Sequence, residues 1–235
     1  MGISAKLKAS NYAKTNNHAA AMAAKVKLRE LVLEAVGPSA VVFDAFAGDG
    51  AMWRAVWRKA HGYLGCDLEW YRDERLAFAA DNRRVLRAID LSPFTLFDLD
   101  AWGSPWEQAL IVAARRPVKP RERIGLVLTE GSSLKLKMGG VPIALRVMAR
   151  LRGEPAGGGR SHAGLIERAL AGLCERMGVK LLRRWQAQGR TGAAVAYIGL
   201  LAEGLPARAR KVKAETVRAP APGDGVPMAA EIMPG

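Results

Sequence analysis

The chain has 235 residues but only 2 cysteines, Cys66 and Cys174, too few for a disulfide framework, so both thiols are expected to be buried and inert. Its 3 histidines, His18, His61 and His162, show no metal-ligand spacing, and no metal is expected. No apolar run approaches the roughly 18 residues of a bilayer span, and the opening "MGISAKLKASNYAK" has no signal-peptide core. These absences predict a cytoplasmic protein without a membrane partner. A myristoylation signal is discarded because Lys6 stands where Ser or Thr is required. The phosphate-binding Gly-x-x-x-x-Gly-Lys-Ser/Thr is missing, and so is the dinucleotide Gly-x-Gly-x-x-Gly, because Met52 and Trp53 follow Gly50. Neither a triphosphate nor a dinucleotide is therefore the expected ligand.

Acidic residues are also scarce. Against 36 Lys and Arg stand 22 Asp and Glu, a net charge of +14, and a basic surface concentrates polyanions and speeds their capture. The excess is uneven: from Arg146 to Arg190 there are ten basic residues against Glu154, Glu167 and Glu175, a net of +7. Nucleic acid, DNA or RNA, is the expected partner, and this half is where a phosphate backbone would lie. "RRPVKPRER" reads as a basic, solvated connector.

Along the chain, "NHAAAMAAKVKLRELVLEAV" (17 to 36) has apolar residues near helical spacing and is stopped by Gly37-Pro38. "AVVFDAF" is β-branched and aromatic like a strand buried on both faces, and Gly48 and Gly50 then open a helix through Trp57. "GYLGCDL" (62 to 68) reads as a second strand, "EWYRDERLAFAADN" as a helix, "VLRAIDL" as a third strand and "FTLFDLD" as a fourth. A helix from "SPWEQALIVAARR" and a fifth strand "RIGLVLTEG" follow, then helices near 141 to 150 and 162 to 177. "KLLRRWQAQ", Gly-Arg-Thr-Gly and "AAVAYIGLLAE" form a β-hairpin. The expected organisation is a basic N-terminal segment (1–16), one α/β domain (17–204) and a Pro/Ala-rich basic tail (205–235) too poor in periodicity to order itself.

In an open α/β sheet the ligand lies beyond the carboxyl ends of the strands, where strand order reverses. Gly48 and Gly50 let the backbone approach a ligand without a Cβ in the way, and Asp44 and Asp49 offer acceptors to its cationic end. Asp67 ends the second strand 23 positions beyond Asp44, near the offset expected of a ribose-gripping carboxylate, with Leu68 beside it. Asp90 ends the expected third strand, placed to receive an adenine amine with Leu91 as apolar cover. In "FDLDAWGSPW" (97 to 106), Asp98 and Asp100 follow a buried strand, and Trp102, Gly103, Ser104 and Pro105 come next. Ser104 is the natural N-cap of the next helix, and no nearby His could activate it as a nucleophile; Trp106 is expected to pack in the core. Glu130, Ser132, Ser133, Lys135 and Lys137 of "LTEGSSLKLKMGG" form the far wall of the cleft, to touch base or phosphate. Tyr12, Lys14 and Asn16 could close over the target.

A parallel α/β sheet ending in an antiparallel hairpin resembles the class I methyltransferases. The resemblance implies a Rossmann-like fold with a mostly parallel seven-stranded sheet, helices on both faces, and S-adenosyl-L-methionine as cofactor. Asp44, Phe46, Gly48 and Gly50 match the "DxFxGxG" form of the family's first motif, and Asp67 and Asp90 are similar to its second and third. The resemblance implies cofactor contacts at Asp44, Phe46, Ala47, Gly48, Asp49, Gly50, Asp67, Leu68, Asp90, Leu91 and Asp98. "DLDAWGSPW" resembles the Asp-x-Asp-Pro-Phe-Gly-Ser-Pro signature of the tRNA guanine N2-dimethyltransferases, with Ala101 for Pro and Trp102 for Phe. The chain lacks that family's large C-terminal extension and its zinc cysteines. What carries over is the chemistry, transfer of a methyl group to a nucleobase amine: Asp100 or Asp98 accepts from the amine, and Trp102 stacks the base. A protein or small-molecule methyltransferase, or an inactive nucleic-acid-binding protein on this fold, are the alternatives.

Overall fold

Alternation along "VVFDA" sends Val42 and Asp44 to one face of the sheet and Phe43 and Ala45 to the other, and both faces are buried. The computed structural model describes residues 19–69, 72–133, 138, 140–151, 161–188 and 195–206. Their order is α1 (Ala19–Val36), β1 (Val41–Asp44), α2 (Ala51–Ala55), a 3₁₀ turn (Trp57–Lys59), β2 (Gly62–Asp67), β3 (Ala77–Ala79), α3 (Asn82–Ala88), β4 (Leu96–Leu99), α4 (Trp106–Arg115), β5 (Arg123–Glu130), α5 (Ile143–Met148), α6 (His162–Met177), β6 (Val179–Ala187) and β7 (Ala196–Gly204). The seven strands form one sheet in the order β3-β2-β1-β4-β5-β7-β6. β7 alone runs antiparallel to its neighbours, between β5 and β6. Strand order reverses beside β1, so the crevice between β1 and β4 is the expected ligand edge.

Two apolar layers cover the sheet. Phe43, Phe97, Leu99, Leu126 and Leu128 pack under the side that carries α3, α4, α5 and α6. Leu28 and Val32 of α1, with Trp57, cover Val42, Leu96, Val127 and Tyr197 on the other. α1 lies so close there that a Cβ on Gly125 or Gly199 would stand 2.7 Å from a methyl of Val36 or Val32. No helix among the described residues is long and apolar enough to cross a membrane.

The expected hairpin is present, although its Gly-Arg-Thr-Gly turn lies outside the described residues. Two expected elements are exchanged. The helix read in "EWYRDERLAFAADN" is absent from its described part, which contains the short strand β3, and "VLRAIDL" belongs not to a strand but mostly to helix α3. The physical cause is at Asp81, whose carboxylate accepts from Arg83 N and starts a helix there. Only Ala77–Ala79 is then left to pair with β2.

Candidate functional site

At the carboxyl end of β1 the chain turns through Gly48 (φ +47°) and Gly50 (φ +82°), left-handed conformations that favour glycine, and enters α2. Asp67, at the end of β2, accepts Gly48 N at 2.8 Å on Oδ2 and Glu69 N at 3.1 Å on Oδ1, so the turn and this carboxylate are built as one unit. Asp44 is buried; it accepts from Phe46 N and Tyr63 Oη, both at 3.2 Å. Burial, then the charge of Asp98, push its carboxyl up to about 8. Asp49 stays at the surface and caps Ala51 N at 3.1 Å.

Arg75 enters this turn from the segment before β3. Its guanidinium donates to Ala47 O at 3.0 Å and Gly48 O at 2.9 Å, is paired with Asp73, and lies where a Cβ on Gly50 would stand 2.7 Å from Cζ. The cavity left between Ala47, Gly48, Asp67, Arg75 and Ala77 is about 10 Å³. The turn therefore already holds a cation of the protein's own.

β4 presents its carboxylates to α1. Asp98 is fully buried and takes a bidentate pair from Arg29, Nε to Oδ2 at 2.7 Å and Nη2 to Oδ1 at 2.8 Å, plus Trp57 Nε1 at 2.9 Å. With its side chain 1% exposed and both oxygens taken by Arg29 and Trp57, Asp98 is out of reach of the cleft, so the expected catalytic or cofactor role of Asp98 is corrected: it is an internal anchor. Asp100 is different. Its side chain is 15% exposed and its Oδ2 receives Lys25 Nζ at 2.9 Å and Arg29 Nη2 at 3.1 Å. Burial alone would raise the Asp100 carboxyl, but Arg29 and Lys25 outweigh it and hold the carboxyl below the usual range. Beyond it Trp102 is 70% exposed, and Gly103 O accepts Gly131 N at 2.6 Å, tying the β4 and β5 loops together.

Further expectations change. α3 runs back from the cleft, which places Asp90 at the opposite edge of the sheet, where it is exposed and bonds Ser92 N at 2.9 Å and Ser92 Oγ at 2.6 Å; Leu91 is a core residue. Neither faces the glycine turn. The start of α3, just after β3, brings Asp81 and Asn82 there instead, and Asn82 Nδ2 donates to Ala45 O at 2.7 Å. Glu130 is fully buried and accepts Trp106 Nε1 at 2.5 Å and Ser132 N at 2.7 Å, so it and the buried Ser132 serve each other rather than a substrate. His162 Nε2 lies 3.5 Å from the same carboxylate. Ser104 does not cap α4; Pro105 holds that position, and Ser104 Oγ is buried without a hydrogen-bond partner. Leu68 is 77% exposed. Trp106 is core, as expected. Cys66 is buried, which pushes its thiol up to about 12, and Cys174 is half-buried. Tyr12, Lys14, Asn16, His18, Lys135 and Lys137 lie outside the described residues.

Lys25, Arg29, Trp57 and Arg75 were not singled out by sequence. A signal for the first two exists: they fall on the Ala21, Leu28, Val32 stripe of α1, where buried cations require buried anions, and Asp98 and Asp100 stand two positions apart at the end of β4.

The strand order, with β7 antiparallel between β5 and β6, is that of the class I methyltransferase fold. Among solved structures, the chain is similar to Trm1 from Pyrococcus horikoshii in complex with S-adenosyl-L-methionine, with TM-score 0.54 and 16% identity over 83% of this chain. It spans 58% of that Trm1 chain. It is also similar to the N-methyltransferase NodS from Bradyrhizobium japonicum WM9 in complex with S-adenosyl-L-homocysteine, with TM-score 0.51 and 10% identity over 84% of this chain and 93% of NodS. No family model and no curated protein sequence matches the chain.

Proposed function

We propose that the chain is an S-adenosyl-L-methionine-dependent methyltransferase acting on a nucleobase amine of DNA or RNA. The observation that carries this reading is the joint construction of the glycine turn and Asp67, with Asp100 and Trp102 in the loop that follows β4, the strand paired with β1. The residue types fit the cofactor. Gly48 and Gly50 remove Cβ atoms from the approach, Asp67 offers a carboxylate to a ribose diol, and Asp81 or Asn82 just after β3 takes the adenine role expected of Asp90. On the same turn the Arg75 guanidinium donates to the carbonyls of Ala47 and Gly48.

When bound, the cofactor supplies a methyl group on a sulfonium. The protein supplies position. Asp100 accepts the N–H bonds of the acceptor amine and so orients a lone pair that the ring otherwise delocalises, while Trp102 stacks the base. Net charge of +14 favours a polyanionic substrate, and the Trm1 likeness is in keeping with RNA. One observation favours a second reading: the Arg75 guanidinium bonded into the glycine turn also suits a nucleic-acid-binding protein without cofactor.

Calorimetry separates the two. Wild type is expected to bind S-adenosylmethionine and S-adenosylhomocysteine, and Asp67→Ala to lose about tenfold or more, the worth of hydrogen bonds to a charged group. Labelled methyl is then expected on DNA, tRNA or ribosomal RNA. Retention on nucleic acid without cofactor binding establishes the second reading instead.

A further inference from the structure

The carboxylate expected to meet the substrate is gripped from behind. Lys25 Nζ at 2.9 Å and Arg29 Nη2 at 3.1 Å both contact Oδ2 of Asp100, so the two cations hold the carboxylate by that oxygen. Arg29 is already committed to Asp98 by two bonds and to Lys25 O at 3.2 Å. Lys25 answers chiefly to Asp100. It is itself 8% exposed, sits 5.5 Å above the ring of Tyr197, and projects from a long, well-packed helix. Apart from Arg29, its neighbours on the same stripe, Ala21, Leu28 and Val32, are apolar.

We propose that Lys25 is the positioning residue for Asp100, holding its carboxylate by Oδ2 in one orientation and in the anionic state, so that it accepts from the amine and does not take its proton. This rests on the reading of Asp100 as the amine acceptor. During transfer the amine lone pair forms the N–C bond as the C–S bond breaks, its electron pair staying on sulfur. The surplus N–H proton passes to water. An anion paired to two cations stays charged and in one orientation while being a weak base, which suits this division. The charged and titratable groups facing Asp100 are Lys25 and Arg29 from α1, Asp98 on its own strand, Asp44 from β1 and Tyr197 from β7, with the Thr129 hydroxyl from β5.

The test uses the full chain and a reading independent of catalysis. The side-chain carboxyl of Asp100 is followed by carbon NMR against pH, assigned through Asp100→Asn, in wild type, Lys25→Met and Lys25→Arg. Loss of the lysine charge is expected to raise the Asp100 midpoint by about one unit, and arginine to restore it. In methyl transfer at saturating nucleic acid, Lys25→Met is expected to lower kcat about tenfold, with its acid limb moved up in parallel, and to leave cofactor affinity and KM within about twofold. Lys25→Arg recovers both. An unmoved Asp100 midpoint, or wild-type kcat and acid limb in Lys25→Met, overturns the proposal. If Lys25→Met does not fold, Lys25→Gln carries the same titration without the charge. Absence of cofactor binding by wild type defeats the functional reading, whereas the NMR titration still decides whether Lys25 controls Asp100.

Discussion

Asp44, Asp98 and Asp100 share one side of the sheet, and among the described residues Lys25 and Arg29 are the cations that pair with them, an imbalance that governs the residue scale. The carboxyl of Asp44, pushed up to about 8 by burial and by Asp98, keeps its proton in the fold where the unfolded chain releases it above about 4. Its contribution therefore favours folding fully below about 4 and is lost as pH rises toward 8. Denaturant titrations from pH 4 to 8 are expected to show wild type losing stability relative to Asp44→Asn; a pH-independent difference contradicts the burial of a protonated carboxyl. The Arg29 and Asp98 pair gives a second expectation. Arg29→Met strands a buried carboxylate and should cost about 3–5 kcal/mol, while Arg29→Met with Asp98→Leu should recover most of it, read by the same titrations. The positions of Asp44 and Asp67 at strand ends, and of Asp100 and Trp102 just after β4, were legible in sequence because local pattern marks strand ends and turns. The partners of Asp98 and Asp100 were not, since Arg29 lies 69 positions before Asp98 and nothing local separates a buried arginine from a solvated one.

At the scale of elements, β1, β2, β4, β5 and the hairpin were readable from apolar runs and turn residues. β3 and α3 were exchanged because three residues, Ala77–Ala79, make too short a strand to show a period, while "VLRAI" carries β-branched residues inside a helix started by Asp81. Asp90 was misplaced with them, since a strand and a helix deliver their last residue to opposite edges of the sheet. The contact between α5 and α6 offers a direct test. A Cβ on Gly172 would stand 2.0 Å from Met148 O, so Gly172→Ala must push the two helices apart. A loss of about 1–3 kcal/mol and a lower Tm are expected, with the cofactor edge unaffected.

Over the whole molecule, the charge of +14 acts at long range and without sequence preference. Binding to DNA or RNA is expected to weaken steeply between about 50 and 200 mM salt, with a linear dependence of log affinity on log salt. Flat salt dependence would contradict a phosphate-tracking surface. The topology was legible in outline because class I order needs only alternating elements and a terminal hairpin. The arginine inside the glycine turn was not, because it arrives from a segment with no periodic signal. The most direct measurement is a calorimetric titration of S-adenosylmethionine into wild type and Asp67→Ala. Saturable one-to-one binding that Asp67→Ala weakens at least tenfold is expected. No saturable binding by wild type, or equal binding by both proteins, would contradict a cofactor site at the glycine turn.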